Sequence, residues 1–323
     1  MHLRRVLSMT AALAALALTA CGSSSSSGPS STAVVEGQYF ILIRHGLPSD
    51  SFWAPVQKGF TDAGKLYGVK TTYQATGNNS SDEAKAIDAA VAQHVTGIVV
   101  TLPDAGAEGP AIKRAEAAGI PVITVNTGST TYREVGALTH VGQDETLAGQ
   151  GAGERLKAAG LHHILCVLHQ QFNVALEQRC AGAKQGFGGA VTNQYVPGTS
   201  DIPGTEASIK ATLQSDSSID GVLTLDPDIA MAAKDAIAAA NSSARLATFD
   251  LSNNVLAAIK QGKILFAVDQ QPYLQGYLPV SFLVLYKQNG NVVGGGQPVL
   301  TGPSFVDSNN VDKITACVKA GNC

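Results

Sequence analysis

Charge is scarce in this chain. Asp, Glu, Lys and Arg make up 15% of its 323 residues, against roughly 25% in an ordinary globular protein. With 45% hydrophobic residues, the composition excludes a largely disordered polymer, which needs high charge and little apolar surface. The formal net charge is only −3 and no long basic run occurs, so neither nucleic acid nor an anionic membrane surface is an expected partner. Several signatures of chemistry are also missing. There is no G-x-x-x-x-G-K-[ST] phosphate loop, no G-x-S-x-G nucleophile elbow, no H-E-x-x-H zinc helix and no D-x-[DN]-x-[DN]-G calcium loop. These absences exclude the commonest nucleotide, hydrolase and metal sites, and neither a cofactor nor a metal is expected. Tryptophan occurs once, as Trp53.

What is present begins with an address. "MHLRRVLSMTAALAALALTAC" has two arginines, an uncharged apolar stretch and small residues, the order of a secretory signal. Its ending, "LTAC", resembles a bacterial lipobox, which makes residues 1–21 a lipoprotein signal with Cys21 as the lipidated residue. An ordinary signal peptide cut nearby is the alternative. "GSSSSSGPSST" follows, and residues 22–37 read as a flexible tether. The expected location is extracytoplasmic, anchored to the cell membrane by lipid on Cys21. Four cysteines then remain in an oxidising compartment: Cys166, Cys180, Cys317 and Cys323. They allow three connectivities, and short loop closure favours Cys166–Cys180 with Cys317–Cys323.

Beyond the tether, apolar runs of strand length alternate with helix-period segments. "YFILIR", "GIVVTL" and "IPVITVN" lie in the first half; "HHILCVLH", "DGVLTL", "RLATFD" and "ILFAVD" lie in the second. Continuous Val/Ile/Leu strands separated by helices predict an α/β fold of two doubly wound parallel-sheet lobes. "GIVVTLPD" and "GVLTLDPD" repeat a Pro-Asp at the same distance from a Gly-led strand. "GQGAGER" has glycine spacing but falls inside a helical pattern, and His162, His163 and His169 read as structural histidines on one strand.

Polar residues collect at the predicted strand ends. Asn126 ends "IPVITVN", Asp226 ends "GVLTLD", Asp250 ends "RLATFD" and Gln270 follows "ILFAVD", while His45 and Asp50 lie in the opening turn. Each alone is an ordinary turn-former or helix cap. Converging on a cleft, they form a site rich in acceptors and suited to the hydroxyl groups of a neutral ligand. The neighbouring Phe52 and Trp53 would cover its apolar C–H surface.

From about Gln38 onward the chain resembles the type I periplasmic sugar-binding proteins, the ribose/galactose-binding group that feeds ABC importers. The resemblance rests on "DSFWAPVQKGF", "GIVVTLPD", "AAGIPVITVN", "HVGQDETLAGQGAGERL", "NVALEQRCAGAKQGF", "GVLTLDPDIAMAAKDAI", "LATFD" and "ILFAVDQQP". It implies ligand contacts from Phe52, Trp53, Asn126, Arg179, Asp226, Asp250 and Gln270, with Asp50 in the place of a frequent Asn. His45 and Asn173 complete the expected set. The implied mechanism is hinge closure of a lobe of residues 38–142 plus 272–297 on one of 143–271 plus 298–323. The implied partner is an ABC permease, served by a monomer; a sensor or chemoreceptor input module is the alternative, and an enzyme is not expected. Ser51 stands where the motif often has proline, Leu102 replaces a polar strand-end residue, and Asn126-Thr127 stands where the ribose pattern has Asp-Arg. These departures point to an open-chain C4–C5 polyol such as threitol or xylitol, with a pentose, an inositol or another monosaccharide as alternatives.

Overall fold

The computed structural model describes residues 37–323. The signal segment, Cys21 and all of the tether but Gly37 lie outside the described residues. The first lobe opens with β1 (Tyr39–Arg44), α1 (Trp53–Tyr67), β2 (Lys70–Ala75), α2 (Ser80–Ala92) and β3 (Gly97–Val100). It continues through α3 (Ala105–Ala117), β4 (Val122–Val125) and β5 (Thr139–Gln143). The second repeats the pattern with α4 (Glu145–Ala158), β6 (His163–Leu168), α5 (Val174–Phe187), β7 (Ala190–Tyr195), α6 (Ile202–Ser215) and β8 (Gly221–Thr224). Then come α7 (Pro227–Ala239), β9 (Arg245–Phe249), α8 (Asn253–Lys260) and β10 (Ile264–Asp269). The chain closes with α9 (Pro272–Asn289), β11 (Val299–Gly302), β12 (Ser304–Asp307) and α10 (Val311–Lys319).

Two six-stranded sheets result, in the orders β11-β5-β4-β3-β1-β2 and β12-β10-β9-β8-β6-β7. All pairings are parallel except β10 with β12. Helices cover both faces, so the central strands β3, β4 and β8 are buried at every residue. That burial is why they read as unbroken apolar runs and not as alternating ones. Helices α2 to α8 each start at an Asn, Asp or Ser whose side chain accepts from the first turn. No described helix is long and apolar enough to cross a membrane.

The chain passes between lobes three times. After β5 it enters α4; after β10 it returns through Gln270 and Gln271 into α9. The third crossing corrects the sequence reading, which put it near Gln297. Val299, Leu300 and Gly302 still pair with β5, and Ser304 pairs with Asp269 of β10. The crossing therefore lies at residues 302–304, because edge pairing with β5 holds the chain in the first lobe for five more residues. Both disulfides form as the short loops predict, Cys166–Cys180 with Cα atoms 5.9 Å apart and Cys317–Cys323 with 5.5 Å.

Candidate functional site

Ligands of open α/β sheets gather at the carboxyl ends of the strands, and there the two lobes of this molecule face each other. All ten residues singled out from the sequence line one cavity between them. His45, Asp50, Phe52, Trp53 and Asn126 come from the first lobe; Asn173, Arg179, Asp226, Asp250 and Gln270 come from the second.

The opening turn explains its two large rings. Arg44, 2% exposed, donates to the Tyr73 hydroxyl at 2.9 Å and to the carbonyls of His45 and Leu47 at 2.9 and 2.8 Å. Its guanidinium lies 5.0 Å from the Trp53 ring centroid. Trp53 meets His45 and Phe52 edge-on, at 5.0 and 4.9 Å. The Leu47 N–H donates to Asp50 Oδ2 at 2.7 Å. A buried cation and aromatic edges thus fix a turn that lacks the usual run of Gly and Asn. Trp53 belongs to the core with Phe40, Val56 and Phe60 while also lining the cavity. It packs the core with one part of its surface and faces the cavity with another.

In the second lobe Arg179 is placed by helix packing. An added Cβ at Gly149 of α4 would collide with the Arg179 carbonyl oxygen, and one at Gly182 of α5 with that of Thr146. The glycines of "GQGAGER" therefore serve close helix contact, which brings Glu145 at the head of α4 against Arg179. Arg179 grips both Glu145 oxygens, at 2.6 and 3.1 Å, and donates to the Leu225 carbonyl at 3.2 Å. Asp250 Oδ2 lies 3.7 Å from its Nη1. The Cys166–Cys180 bridge ties the same helix to β6.

The lobes also repeat a pattern that their sequences do not advertise. Each places a histidine directly after its first strand, His45 after β1 and His169 after β6. Each places a non-glycine residue of positive φ directly after its fourth strand, Asn126 at 63° and Asp250 at 68°. Asn and Asp tolerate this left-handed conformation best, and such outliers gather at functional sites. Gln270 joins the pair across the cleft: its Oε1 accepts from Asn126 Nδ2 at 3.1 Å, and its Nε2 donates to Asp250 Oδ1 at 2.6 Å.

Burial dominates the electrostatics. It raises Asp226 to about 8, aided by the neighbouring Asp228, and raises Asp250 to about 7 against the pull of Arg179. It lowers His45 and His169 to about 3, so both imidazoles are neutral at ordinary pH. Asn173 Nδ2 lies 3.3 Å from His45 Nε2, which makes that nitrogen the acceptor and leaves the proton on Nδ1. Asp226 Oδ1 caps α7, accepting at 2.8 and 3.1 Å. The cavity wall thus combines neutral amides and imidazoles with buried carboxyls, a mixture that hydroxyl groups, each both donor and acceptor, can use. Among the described residues no group of three or more His, Cys, Asp or Glu is placed to hold a metal ion.

Residues 40–291 match the family model described as "Periplasmic binding protein domain". The chain belongs to this family. Its type I sugar-binding members are solute carriers of ABC importers, not enzymes, and this chain is a binding protein of that kind. A carbohydrate transporter from Acidothermus cellulolyticus 11B, solved in complex with myo-inositol, is 44% identical. It superposes with a TM-score of 0.86 over 88% of this chain and 99% of its own. The xylose/arabinose-binding protein of Sulfolobus acidocaldarius is 26% identical over 84% of this chain and 71% of its own length. The ribose import binding protein of Bacillus subtilis is 25% identical over 71% of this chain and 75% of its own.

Sequence reading missed four polar side chains of this binding protein's cleft region. His169, taken as structural, lines the cavity with Thr127 and Gln170; its position one residue past a strand was the available signal. Glu145 gave none, because its role depends on the approach of α4 to α5.

Proposed function

We propose that this protein captures a small, neutral, polyhydroxylated ring, with myo-inositol as the first candidate, and presents it to the permease of an ABC importer. The observation that carries the reading is the Asn126–Gln270–Asp250–Arg179 chain. It supplies polar groups from both lobes and the hinge to one cavity. The 44% identical relative with myo-inositol bound supports a cyclic polyol. The open-chain C4–C5 polyol has one observation of its own in favour. The two aromatic rings at the cavity, Phe52 and Trp53, lie on one side and are 7% and 5% exposed, so no pair of rings sandwiches a sugar. Lipid on Cys21 would keep the carrier at the membrane beside its permease. Binding is read through the lone Trp53 by titrating the domain with inositols, tetritols, pentitols, hexitols, pentoses and hexoses. A saturable change confined to the inositols supports the ring; one confined to tetritols or pentitols transfers the site to the open chain; calorimetric silence with all of them removes the reading.

A further inference from the structure

We propose that Asp228 is a closure latch: its carboxylate reaches across the cleft to Ser51, just ahead of helix α1 of the opposite lobe, so that closing the cleft makes a pair of hydrogen bonds that opening it breaks. The inference rests on the binding reading above and adds a pair of residues that set affinity without lining the ligand cavity.

Helix α1 is built differently from the seven that follow it. Its N-cap position is Phe52, in a helical conformation with no side-chain hydrogen bond, and no acidic residue stands in its first turn. It begins at the cleft, where the Trp53 and Ala54 N–H groups donate to the Asp50 and Ser51 carbonyls at 3.3 and 3.4 Å and the positive end of its dipole favours a nearby carboxylate. That carboxylate comes from the other lobe. Ser51 Oγ donates to Asp228 Oδ1 at 3.1 Å and the Ser51 N–H to Oδ2 at 3.4 Å. Asp228 has no capping task in its own helix, because Asp226 already caps α7 and receives the Asp228 N–H at 2.8 Å. The repeated Pro-Asp thus diverges in use. Asp104 caps its own helix α3; Asp228 reaches across. Ser51 supplies both donors, and proline at this position would supply neither. Two further contacts join the lobes on the cleft rim, from the Val174 N–H to the Pro103 carbonyl at 3.3 Å and from Gln178 Nε2 to Thr130 at 3.4 Å. The Ser51–Asp228 pair is the charge-assisted one of the three.

A group that contacts both lobes only in the closed state acts on release, not on encounter. The test uses the domain with myo-inositol, or with whichever panel member the wild type binds most tightly. Loss of this hydrogen-bonded pair predicts that Asp228→Ala and Ser51→Ala each speed ligand release about three- to tenfold with the association rate unchanged. The double variant should lose no more than either alone, since both break one interaction. Asp228→Asn, whose amide oxygen still accepts, should recover most of the loss. Unchanged release, or losses that add, overturns the latch; additivity would mean that Asp228 acts through the field it exerts on Asp226. Paired Ser51→Cys and Asp228→Cys substitutions give an answer that needs no ligand. Oxidation should cross-link the lobes, and no cross-link means that the two positions do not meet. A wild type that binds nothing in the panel sinks the proposed function, while the cross-link still decides the latch.

Discussion

Asp226 and Asp250 carry the sharpest residue-level consequences. Hydroxyl donors prefer ionised carboxylates, and burial holds these two near 8 and 7. Ligand affinity should therefore rise from about pH 6 to about pH 9 and level off above it, with protons released on binding. Stability moves the other way. Both carboxyls bind protons more tightly folded than unfolded, so ligand-free stability is highest below about pH 4 on their account and falls as pH climbs through 7 and 8. A binding isotherm series across pH checks the first and denaturant melts check the second. Asp226→Asn separates fold from function, because Asn caps a helix as well as Asp does. Its stability should rise at neutral pH and change little near pH 4, because the buried ionisable group is gone while the cap remains, and affinity near pH 9, where Asp226 is ionised, should drop by about 1.5–3 kcal/mol, the worth of a charged hydrogen bond. Arg179→Lys keeps the charge but loses the two-pronged grip on Glu145, so affinity should fall at least about tenfold with folding retained. Arg179→Ala instead leaves Glu145 as a buried unpaired charge, at a cost of about 3–5 kcal/mol of stability.

At the scale of elements, the strands, the caps and the strand-end residues were legible because they depend on local pattern. Val/Ile/Leu runs specify buried parallel strands, and Asp226 and Asn173 mark helix starts by residue type alone. What was not legible depends on approach between distant elements. The glycines of α4 looked like an idle G-x-G, and only the collision between a Gly149 side chain and the α5 backbone shows their purpose. Gly182→Ala should cost about 1–3 kcal/mol through overpacking and weaken ligand binding with it, since Arg179 sits on the displaced helix. A second hidden pair lies behind the turn. Glu83 in α2 and Glu108 in α3 are both fully buried, and burial raises Glu83 well above its usual value and Glu108 to about 8. The Thr101 hydroxyl, donating to Glu83, also accepts the His45 N–H at 2.9 Å. A raised carboxyl costs stability above its unfolded pKa, so Glu108→Gln should stabilise the domain at neutral pH and change little near pH 4. Thermal melts at the two pH values distinguish this from a simple packing effect.

The whole molecule works as two similar bodies on three strands of chain. The third strand was misplaced in the sequence because "GNVVGGGQPVL" contains no helix or burial signal strong enough to assign it, and only edge pairing with β5 retains it in the first lobe. The network around Gln270 spans this hinge as well as the cleft. Gln275 Nε2 donates to Gln270 Oε1 at 2.8 Å, and Gln271 Nε2 donates to the Thr301 carbonyl at 2.6 Å. Ligand that recruits Asn126, Gln270 and Asp250 together therefore has differential affinity for the closed arrangement, the one source from which closure can draw. The most direct measurement is calorimetric titration of the mature domain with myo-inositol, on the wild type and on Arg179→Lys. One saturating site per chain, weakened at least about tenfold in the variant, is the expected result. Equal binding by both proteins, or no heat from myo-inositol or any other polyol or sugar of the panel, would contradict a polyol site in the cleft.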